Sequence, residues 1–315
     1  MQKDFKAFSN RLVKMGKHFG KWARRTHTYC YRIYDADLPD FPFSIDKYEE
    51  RILVSFYEKE GVNQVEGDLF YTKCMEIIKD YFSFIPDGHF YTKGRRIQRG
   101  KSQYDKFNRT GEGFTIRENQ YRFWVNLSDY LDSGLFLDHR QTRKMVGEWS
   151  AGKTVLNLFA YTGSFSVYAA GGGAVLVDTV DLSNTYLDWA KINFELNNIS
   201  CEKHNFIRED VMKWLMEHKN NQYDLIVCDP PTFSNSKKMK RIFDVQRDHT
   251  IIIQQCLSLL NPGGKLIFSS NNRNFKMKYE WDGNYKGKEI THQTVPMDFR
   301  SKKIHRCYLF EPIGY

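Results

Sequence analysis

The chain has 315 residues, enough for two domains or one large domain with an appendage, and a net charge of +9. No apolar run approaches the ~20 residues that span a membrane, and the basic N-terminus lacks the unbroken apolar segment of a secretory signal. The six cysteines are scattered without a Cys-x-x-Cys pair. This spacing argues against a zinc site and against a disulfide framework, and it predicts a protein of the reducing cytoplasm.

Residues 4–25 predict a basic amphipathic helix. Apolar side chains recur at steps of three and four residues, as one face of a helix requires: Phe5, Phe8, Leu12, Met15, Phe19 and Trp22. Residues 1–30 hold eight lysines and arginines against the single acid Asp4. Such concentrated positive charge favours a polyanionic partner, most simply nucleic acid, whereas the usual alternative for a charge run is a solvated helix face.

The chain up to residue 130 is expected to form short strands, a helix and a second basic segment. The predicted elements are strands at 29–34 and 51–57, a helix at 68–84 and a hairpin at 113–116 and 121–127. Residues 89–109 hold seven cations against Asp105, with three interleaved rings: Tyr91, Tyr104 and Phe107. Cations for phosphates and rings for unpaired bases are what RNA loop recognition requires. We therefore predict a basic α+β RNA-binding region at 1–112, followed by a second domain at 113–315.

Beyond residue 134, strands and helices alternate. After a helix through Met145 and Trp149, the predicted strands are 155–160, 174–180, 206–208, 225–228, 265–269 and 304–310. The predicted helices between them are 165–169, 184–196, 211–218 and 251–260. Alternation on this scale predicts a doubly wound α/β domain with a mostly parallel sheet.

Three acids, Asp181, Asp210 and Asp229, follow predicted strands, where open α/β sheets bind their ligands. Asp181 comes 18 residues after the turn at Gly163, a spacing at which an acid accepts hydrogen bonds from a ribose. The turn is not Gly-x-Gly-x-x-Gly, so a ligand with ribose and adenine but no phosphate fits better than NAD. That ligand is S-adenosylmethionine. We assign Asp181 to the ribose, Asp210 or the Val211 amide to the adenine, and the Gly163 turn to the amino-acid end.

The full set of predicted cofactor contacts combines these positions with their neighbours. It comprises Phe136, Asp138, Arg140, Asn157, Phe159, Tyr161, Gly163, Ser164, Asp181, Leu182, Asp210, Val211 and Asp229. His139 is expected beside them on one side of the pocket, where a role as general base is possible but not needed.

The strand at 225–228 ends at Asp229-Pro230-Pro231, because proline has no N–H for a central strand. We predict that Asp229 and the Pro230 carbonyl position the substrate base and that Phe233 stacks on it. Five cations of the following loop and helix are either phosphate contacts or a solvated surface: Lys237, Lys238, Lys240, Arg241 and Arg247.

Four segments carry a resemblance to one bacterial family: 134–140, 156–164, 229–237 and 243–249. The chain resembles, nearly end to end, the RlmK family of large-subunit rRNA methyltransferases, which forms the C-terminal half of the fused enzyme RlmKL. The resemblance implies a Rossmann-like class I domain that methylates guanine N7 in 23S rRNA with S-adenosylmethionine. In the fused relatives, a preceding half methylates guanine N2. We expect this chain to be a stand-alone version or an excised half. Its expected partners are 23S rRNA or a large-subunit precursor, and such a guanine-N2 methyltransferase half.

The residues also bear on the alternatives. Methylation of cytosine C5 needs a cysteine nucleophile, but Ser269 and Ser270 occupy the expected position. Guanine N7 is already nucleophilic, so the enzyme must only flip out, stack and align the base. The alternatives that stay open are methylation of an exocyclic amine (guanine N2 or adenine N6), from whose motif Thr232 departs, and a non-catalytic rRNA-binding assembly factor. A small-molecule methyltransferase is disfavoured by the basic segments.

Overall fold

The computed structural model describes residues 3–57, 64–95, 113–130, 132–218, 222–234, 242–280 and 283–313. The helices are α1 (Phe5–Thr26), α2 (Gln64–Tyr81), α3 (Arg140–Trp149), α4 (Ser164–Gly171), α5 (Asn184–Glu195), α6 (Val211–Glu217), α7 (Val245–Ser258) and α8 (Thr291–Thr294). Among these described residues, no helix combines the length and the hydropathy needed to cross a membrane.

The strands are numbered in chain order in the same way. They are β1 (Cys30–Asp35), β2 (Phe43–Tyr48), β3 (Arg51–Tyr57), β4 (Phe90–Arg95), β5 (Phe114–Glu118), β6 (Tyr121–Val125), β7 (Thr154–Leu158), β8 (Leu176–Asp181), β9 (Asn205–Arg208), β10 (Tyr223–Cys228), β11 (Phe233–Ser234), β12 (Phe243–Asp244), β13 (Leu260–Ser270), β14 (Tyr285–Glu289) and β15 (Arg306–Pro312). The predicted hairpin is the two-stranded sheet β5–β6.

Contacts divide the chain into two compact units. The first comprises residues 1–120, 125–133 and 297–301, and the second comprises 121–124, 134–296 and 302–315. The predicted boundary at residue 112 lies outside the described residues and stays a prediction. The segment 297–301 joins the first unit through hydrogen bonds: Arg32 N donates to Asp298 Oδ2 at 2.9 Å, and Arg300 N donates to Asp35 Oδ2 at 3.0 Å.

The first unit packs α1 and α2 on a four-stranded sheet of order β1-β2-β3-β4. The predicted N-terminal helix is confirmed: it begins after Asp4, whose carboxylate accepts from Ala7 N, and it ends at His27 in the left-handed conformation. The predicted stripe faces the core, since Phe8, Leu12 and Phe19 are buried and its other members pack partly buried around them.

Two strands of this unit, β2 and β4, were not predicted. In β2 apolar and polar residues alternate over 43–46, but the polar side chains Ser44 and Asp46 are buried as well. Asp46 is directly opposite Arg32 in the ladder, and its carboxylate accepts from Arg32 Nε at 2.7 Å. A charge partner from a neighbouring strand therefore makes the buried acid acceptable, which a local pattern does not reveal.

The second unit contains a seven-stranded sheet of order β14-β15-β13-β10-β7-β8-β9. Strands β9, β8, β7, β10 and β13 are parallel, whereas β15 runs antiparallel to β13 and β14 antiparallel to β15. Alternate residues of the central strands face two separate clusters: Leu156 and Ile226 pack with α6 and α7, whereas Val155 and Leu225 pack with α3 and α4. The predicted doubly wound α/β fold is confirmed.

Three details differ from the sequence prediction in this unit. Strand β13 begins at Leu260 rather than at residue 265, because the ladder passes from Tyr223↔Leu260 to Leu225↔Lys265 and leaves the residues between them bulged, with Gly263 at φ +82°. Helix α7 begins earlier than predicted, at the cap Asp244. The edge strand β14 and the short pair β11–β12 were missed, since neither has a long apolar run.

Candidate active site

The carboxyl ends of four parallel strands are aligned at one edge of the sheet. The ladders pair Cys228 with Leu158, Leu158 with Val180, and Val180 with Ile207. Asp229 and Asp181 each follow this common level, two strands apart. At about 4.8 Å per strand their backbones are roughly 10 Å apart. The structure therefore brings two of the three predicted acids to the same edge as the turn that follows β7.

The turn after β7 has an unusual backbone. Phe159, Tyr161 and Gly163 have φ angles of +55°, +51° and +69°, and the left-handed conformation costs a non-glycine residue about 1–2 kcal/mol. A Cβ at Gly163 would lie 2.6 Å from the Ala190 Cβ, so only glycine fits there. Such a conformation persists where its surroundings hold it, and it is concentrated at ligand sites.

Hydrogen bonds from three directions hold this turn. Tyr161 N donates to Asp181 Oδ2 at 2.9 Å, and the Thr162 hydroxyl donates to the Gly134 carbonyl at 2.6 Å. Gly134 N in turn donates to the Tyr161 hydroxyl at 3.0 Å. The Tyr161 ring lies 5.2 Å from the ring of Phe136, which is 37% exposed. Phe136 and Gly134 thus meet Tyr161 and Thr162 at this turn. Of the other predicted contacts in 134–140, Asp138 lies beside His305 and Arg140 is buried at the start of α3.

Asp181 is the most perturbed acid at this edge. Its two carboxylate oxygens accept from Tyr161 N and from Ser183 N, at 2.9 and 2.8 Å. Burial raises the pKa of Asp181 to about 6, against these backbone hydrogen bonds, which lower it. The carboxylate is therefore ionised at neutral pH and positioned at the strand end next to Leu182.

The third acid has a structural role. Asp210 is the N-cap of α6, and its Oδ1 accepts from Met212 N at 2.8 Å. Val211, the first residue of α6, is buried in the core. Capping accounts for an acid at this position, and an adenine contact for Asp210 or Val211 stays a prediction.

Asn157 and Ser164 lie at the base of the same turn. Asn157 is buried, and its Nδ2 donates to the Ser166 hydroxyl at 2.9 Å. Its Oδ1 has no hydrogen-bond partner among the described residues. An unsatisfied buried carbonyl oxygen costs about 1–3 kcal/mol, which a ligand's ammonium group would relieve. Ser164 opens α4 directly after Gly163.

Asp229 is fixed by residues from other parts of the second unit. The Ser269 hydroxyl donates to Asp229 Oδ1 at 2.5 Å. On the other side, His139 Nε2 lies 3.5 Å from Asp229 Oδ2. The carboxylate is thus held from two sides while its residue stays partly open to solvent.

A chain of buried polar groups continues from His139. Its ring stacks on that of His305, whose Nδ1 lies 3.0 Å from Asp138 Oδ2 and whose Nε2 lies 2.9 Å from the Thr294 hydroxyl. Burial lowers the pKa of His139; the charge of Asp229 opposes this shift and His305 adds to it. His139 is therefore neutral at physiological pH. Neither His305 nor Thr294 was predicted, since a single histidine at the start of an apolar strand gives no local signal.

Three members of this chain, Asp138, His139 and His305, could each offer one ligand atom to a metal, within 4.8 Å of one another. The two imidazole rings are nearly parallel, with planes at 12° and centroids 4.3 Å apart. Lone pairs that lie in parallel planes do not converge on one ion. The arrangement fits a hydrogen-bonded chain better than a metal centre.

The predicted base-stacking ring lies after the two prolines. Phe233 is 41% exposed and pairs with Asp244 in the β11–β12 ladder. The preceding Thr232 hydroxyl donates to Asn271 Oδ1 at 2.6 Å, which fixes the loop to the end of β13. Among the loop cations, Arg247 is paired with Asp248 at 2.7 Å. The others, Lys237, Lys238, Lys240 and Arg241, lie outside the described residues.

The cysteines bear on the kind of methyl transfer. Cys228, at the end of β10, and Cys307 are fully buried, and burial raises the pKa of both thiols. Cys228 belongs to the apolar core rather than to the site. At the position where C5 chemistry needs a thiolate, Ser269 instead holds Asp229.

These features define a class. The sheet is parallel except for its last strand, β15, which is inserted antiparallel between β13 and β14. A glycine turn follows β7, and an acid, Asp181, ends β8. This is the fold of an S-adenosylmethionine-dependent methyltransferase. The model of the S-adenosylmethionine-dependent methyltransferase family matches residues 98–283. The fold also matches the putative methyltransferase SMU.776, solved in complex with SAH: the TM-score is 0.79 at 25% identity, over 99% of this chain and 82% of that one.

Sequence relatives narrow the class. The ribosomal RNA large subunit methyltransferase K of Neisseria meningitidis serogroup B is 49% identical over 97% of this chain and 87% of that protein. The ribosomal RNA large subunit methyltransferase K/L of Hahella chejuensis is 45% identical over 96% of this chain, which spans 42% of that protein. The chain therefore belongs to the K family of ribosomal RNA large subunit methyltransferases, and its methyl donor is S-adenosylmethionine.

The residues at the strand ends fit this donor. The carboxylate oxygens of Asp181 can accept hydrogen bonds from a ribose diol. The buried Asn157 Oδ1, which has no hydrogen-bond partner among the described residues, can accept from the donor's ammonium group. The close packing of Gly163 against Ala190 keeps the turn free of side-chain bulk. The predicted contact set remains a proposal for this pocket, residue by residue.

Proposed function

We propose that the chain transfers the methyl group of S-adenosylmethionine to N7 of a guanine in 23S rRNA. The assignment of rRNA as the substrate is supported by the 49% identity, over 97% of the chain, to a ribosomal RNA large subunit methyltransferase K. The choice of N7 is supported by the acid at the strand end, Asp229, which is held by a serine where C5 methylation would need a thiolate.

The bound donor supplies an electrophilic methyl group on a sulfonium. Asp229, oriented by Ser269 and by the neutral His139, accepts hydrogen bonds from N1–H or the exocyclic amine of the guanine. The Pro230 carbonyl completes this positioning pair, and Phe233 stacks on the base. No proton leaves N7, so no general base is required, and His139 acts by position.

Charge supplies a second contribution. Methylation at N7 leaves a positive charge on the purine, which develops in the transition state. A fixed carboxylate beside the base favours that charge without reorganisation during the step. Asp229 therefore both orients the guanine and stabilises the transition state.

We further propose that two parts of the chain have different functions. The basic region 1–112 holds RNA, and the domain 113–315 carries out the transfer. A guanine-N2 methyltransferase half, fused or separate, would act on the same rRNA. This chain spans only 42% of the Hahella K/L relative, which leaves room in that protein for such a half.

The experiment is a transfer assay with labelled S-adenosylmethionine on large-subunit rRNA that lacks the modification, followed by nucleoside mass spectrometry. We expect 7-methylguanosine, lost in Asp229→Asn and retained in Asp188→Asn, an exposed acid on α5. If the product is N2-methylguanosine or N6-methyladenosine, the methyl acceptor is an exocyclic amine and not guanine N7. Label in 5-methylcytidine would overturn the serine argument, and RNA binding without transfer would indicate an assembly factor.

A further inference from the structure

The first unit contains a cavity of about 820 Å³ beside α1, which we call the α1 groove. It lies among the C-terminal half of α1, the chain that leads into β1, the turn between β2 and β3, and the chain that ends α2. All its lining residues belong to the first unit. None of the predicted cofactor contacts is among these lining residues.

Five cations line the α1 groove against two acids. The cations are Lys17, Lys21, Arg24, Lys47 and Arg117, and the acids are Glu49 and Glu50. Glu49 is already engaged, since its Oε1 accepts from Arg117 Nε at 3.1 Å. The groove therefore has a surplus of positive charge, which favours an anionic occupant.

The cations of α1 are placed for a linear polyanion. Lys17, Lys21 and Arg24 follow steps of four and three residues, so they share one helix face over about 10 Å. All three are exposed, and none forms an ion pair with another described residue. Arg11 of the same helix, by contrast, is paired with Asp37 at 2.6 Å.

Four aromatic rings share the groove with these cations: Tyr29, Tyr31, Tyr81 and Phe84. Phe84 is 75% exposed, a large apolar surface in water at the groove. A Cβ at Gly16 of α1 would lie only 2.1 Å from the Tyr81 hydroxyl. Only glycine at this position therefore lets the Tyr81 ring pack against α1 at the groove. Glycine weakens a helix interior, and the close approach of Tyr81 explains its presence.

Exposed cations beside the exposed ring of Phe84 in a concave groove match unpaired nucleotides. Phosphates contact the cations, and splayed bases stack on the rings, whereas a duplex keeps its base faces covered. We propose that the α1 groove binds a single-stranded segment of the substrate RNA, with Lys17, Lys21 and Arg24 on its phosphates and Phe84 stacking on a base. This inference rests on the proposed function and adds the surface that holds the RNA.

The test uses the full chain and a fluorescein-labelled, unstructured 12-nucleotide pyrimidine RNA, followed by anisotropy between 50 and 300 mM salt. The variant Lys17→Gln/Lys21→Gln/Arg24→Gln should bind at least about tenfold more weakly, and its salt slope should fall by about 2, at ~0.7 per lost phosphate contact. The matched control is Lys6→Gln/Lys14→Gln/Arg25→Gln, which removes the same charge from α1 residues outside the groove and should change little.

Stacking is tested with Phe84→Ala, which should weaken single-strand binding about fivefold or more. Leu69→Ala is its control, since Leu69 is 73% exposed and does not line the groove. Equal losses in the two triple variants, or equally tight binding of the same sequence as a duplex, would overturn the proposal. If methyl transfer to rRNA proceeds while the groove variants bind normally, the groove fails and the proposed function stands. If the groove variants lose RNA binding as expected but the wild type forms no 7-methylguanosine, the groove proposal stands and the proposed function fails.

Discussion

The imidazole rings of His139 and His305 stack face to face, with centroids 4.3 Å apart and planes at 12°. Both rings are buried, and His139 Nε2 lies 3.5 Å from the carboxylate that we assign to the substrate base. A proton on His139 would place a buried charge against the face of the His305 ring, and burial lowers the pKa of His139. The stacked arrangement therefore favours the neutral form of His139.

The lowered pKa of His139 predicts how stability changes with pH. As pH falls through about 6.5, the unfolded chain gains a proton that the folded imidazole does not, so the free energy of unfolding decreases. Asp181, whose pKa is raised to about 6, contributes in the opposite sense as pH 6 is approached, but it does so equally in the wild type and the variant. Between pH 7.5 and 6, His139→Gln should therefore flatten the loss that belongs to His139. Urea unfolding at several pH values measures it. The exposed His18→Gln is the control, and an unchanged slope in His139→Gln would contradict the prediction.

Asp181 predicts a pH dependence of cofactor affinity. Its ionised form is the better acceptor for ribose hydroxyls, and its pKa is raised to about 6. Affinity for S-adenosylhomocysteine should therefore fall by up to about tenfold per pH unit below pH 6. Calorimetry from pH 5 to 8 measures this, and Asp181→Asn should bind weakly with no such dependence. If Asp181→Asn keeps the wild-type pH profile, the ribose assignment is wrong.

Ser269 should act as a positioning residue for Asp229. Ser269→Ala removes a hydrogen bond to a carboxylate, worth about 1.5–3 kcal/mol, and should lower kcat by roughly tenfold or more. The affinity for S-adenosylhomocysteine should stay unchanged, and Ser269→Thr should restore much of the rate. Single-turnover kinetics measures the rate of methyl transfer, and calorimetry measures the affinity for S-adenosylhomocysteine. A loss of cofactor affinity as large as the loss of kcat would point to a general structural effect.

Phe233 predicts a loss specific to RNA. Since the ring is 41% exposed, Phe233→Ala should change the free energy of unfolding by less than about 0.5 kcal/mol. Loss of a base stack of about 1–3 kcal/mol should lower kcat/KM for rRNA at least fivefold, with Phe233→Tyr close to wild type. Ile242→Ala, an exposed aliphatic residue beside β12, is the control. An equal loss in both variants would remove Phe233 from the site.

The sequence predicted the parts of the fold whose pattern is local. The α1 stripe, the apolar strands β7, β8 and β10, and the acids after them follow from periodicity and from turn residues. Strand β2 was missed although its residues 43–46 alternate, and the burial of Asp46 could not be predicted because it depends on Arg32 of a neighbouring strand. Strand β13 was predicted too short because its bulge around Gly263 resembles a complete turn.

The candidate site shows the same division. Asp181, Asp229, Tyr161 and Gly163 were predicted from their places after strands, and the structure brings them to one edge. His305 and Thr294 reach the site only because β15 and α8 pack near the strand ends. Contacts between residues more than a hundred positions apart carry no signal in a single sequence. Asp210 was correctly placed after a strand, but its capping of α6 became visible only with the backbone.

The segment 297–301 has a consequence for how the chain matures. Domains normally fold in the order of their synthesis, at about 5–20 residues per second. Here Arg32 and Asp35 gain the partners Asp298 and Arg300 only after the intervening segment of more than 260 residues has been made, roughly 13 to 53 s later at those rates. The N-terminal unit is therefore completed last, and a fragment that stops before residue 297 leaves the ribosome without part of its own packing.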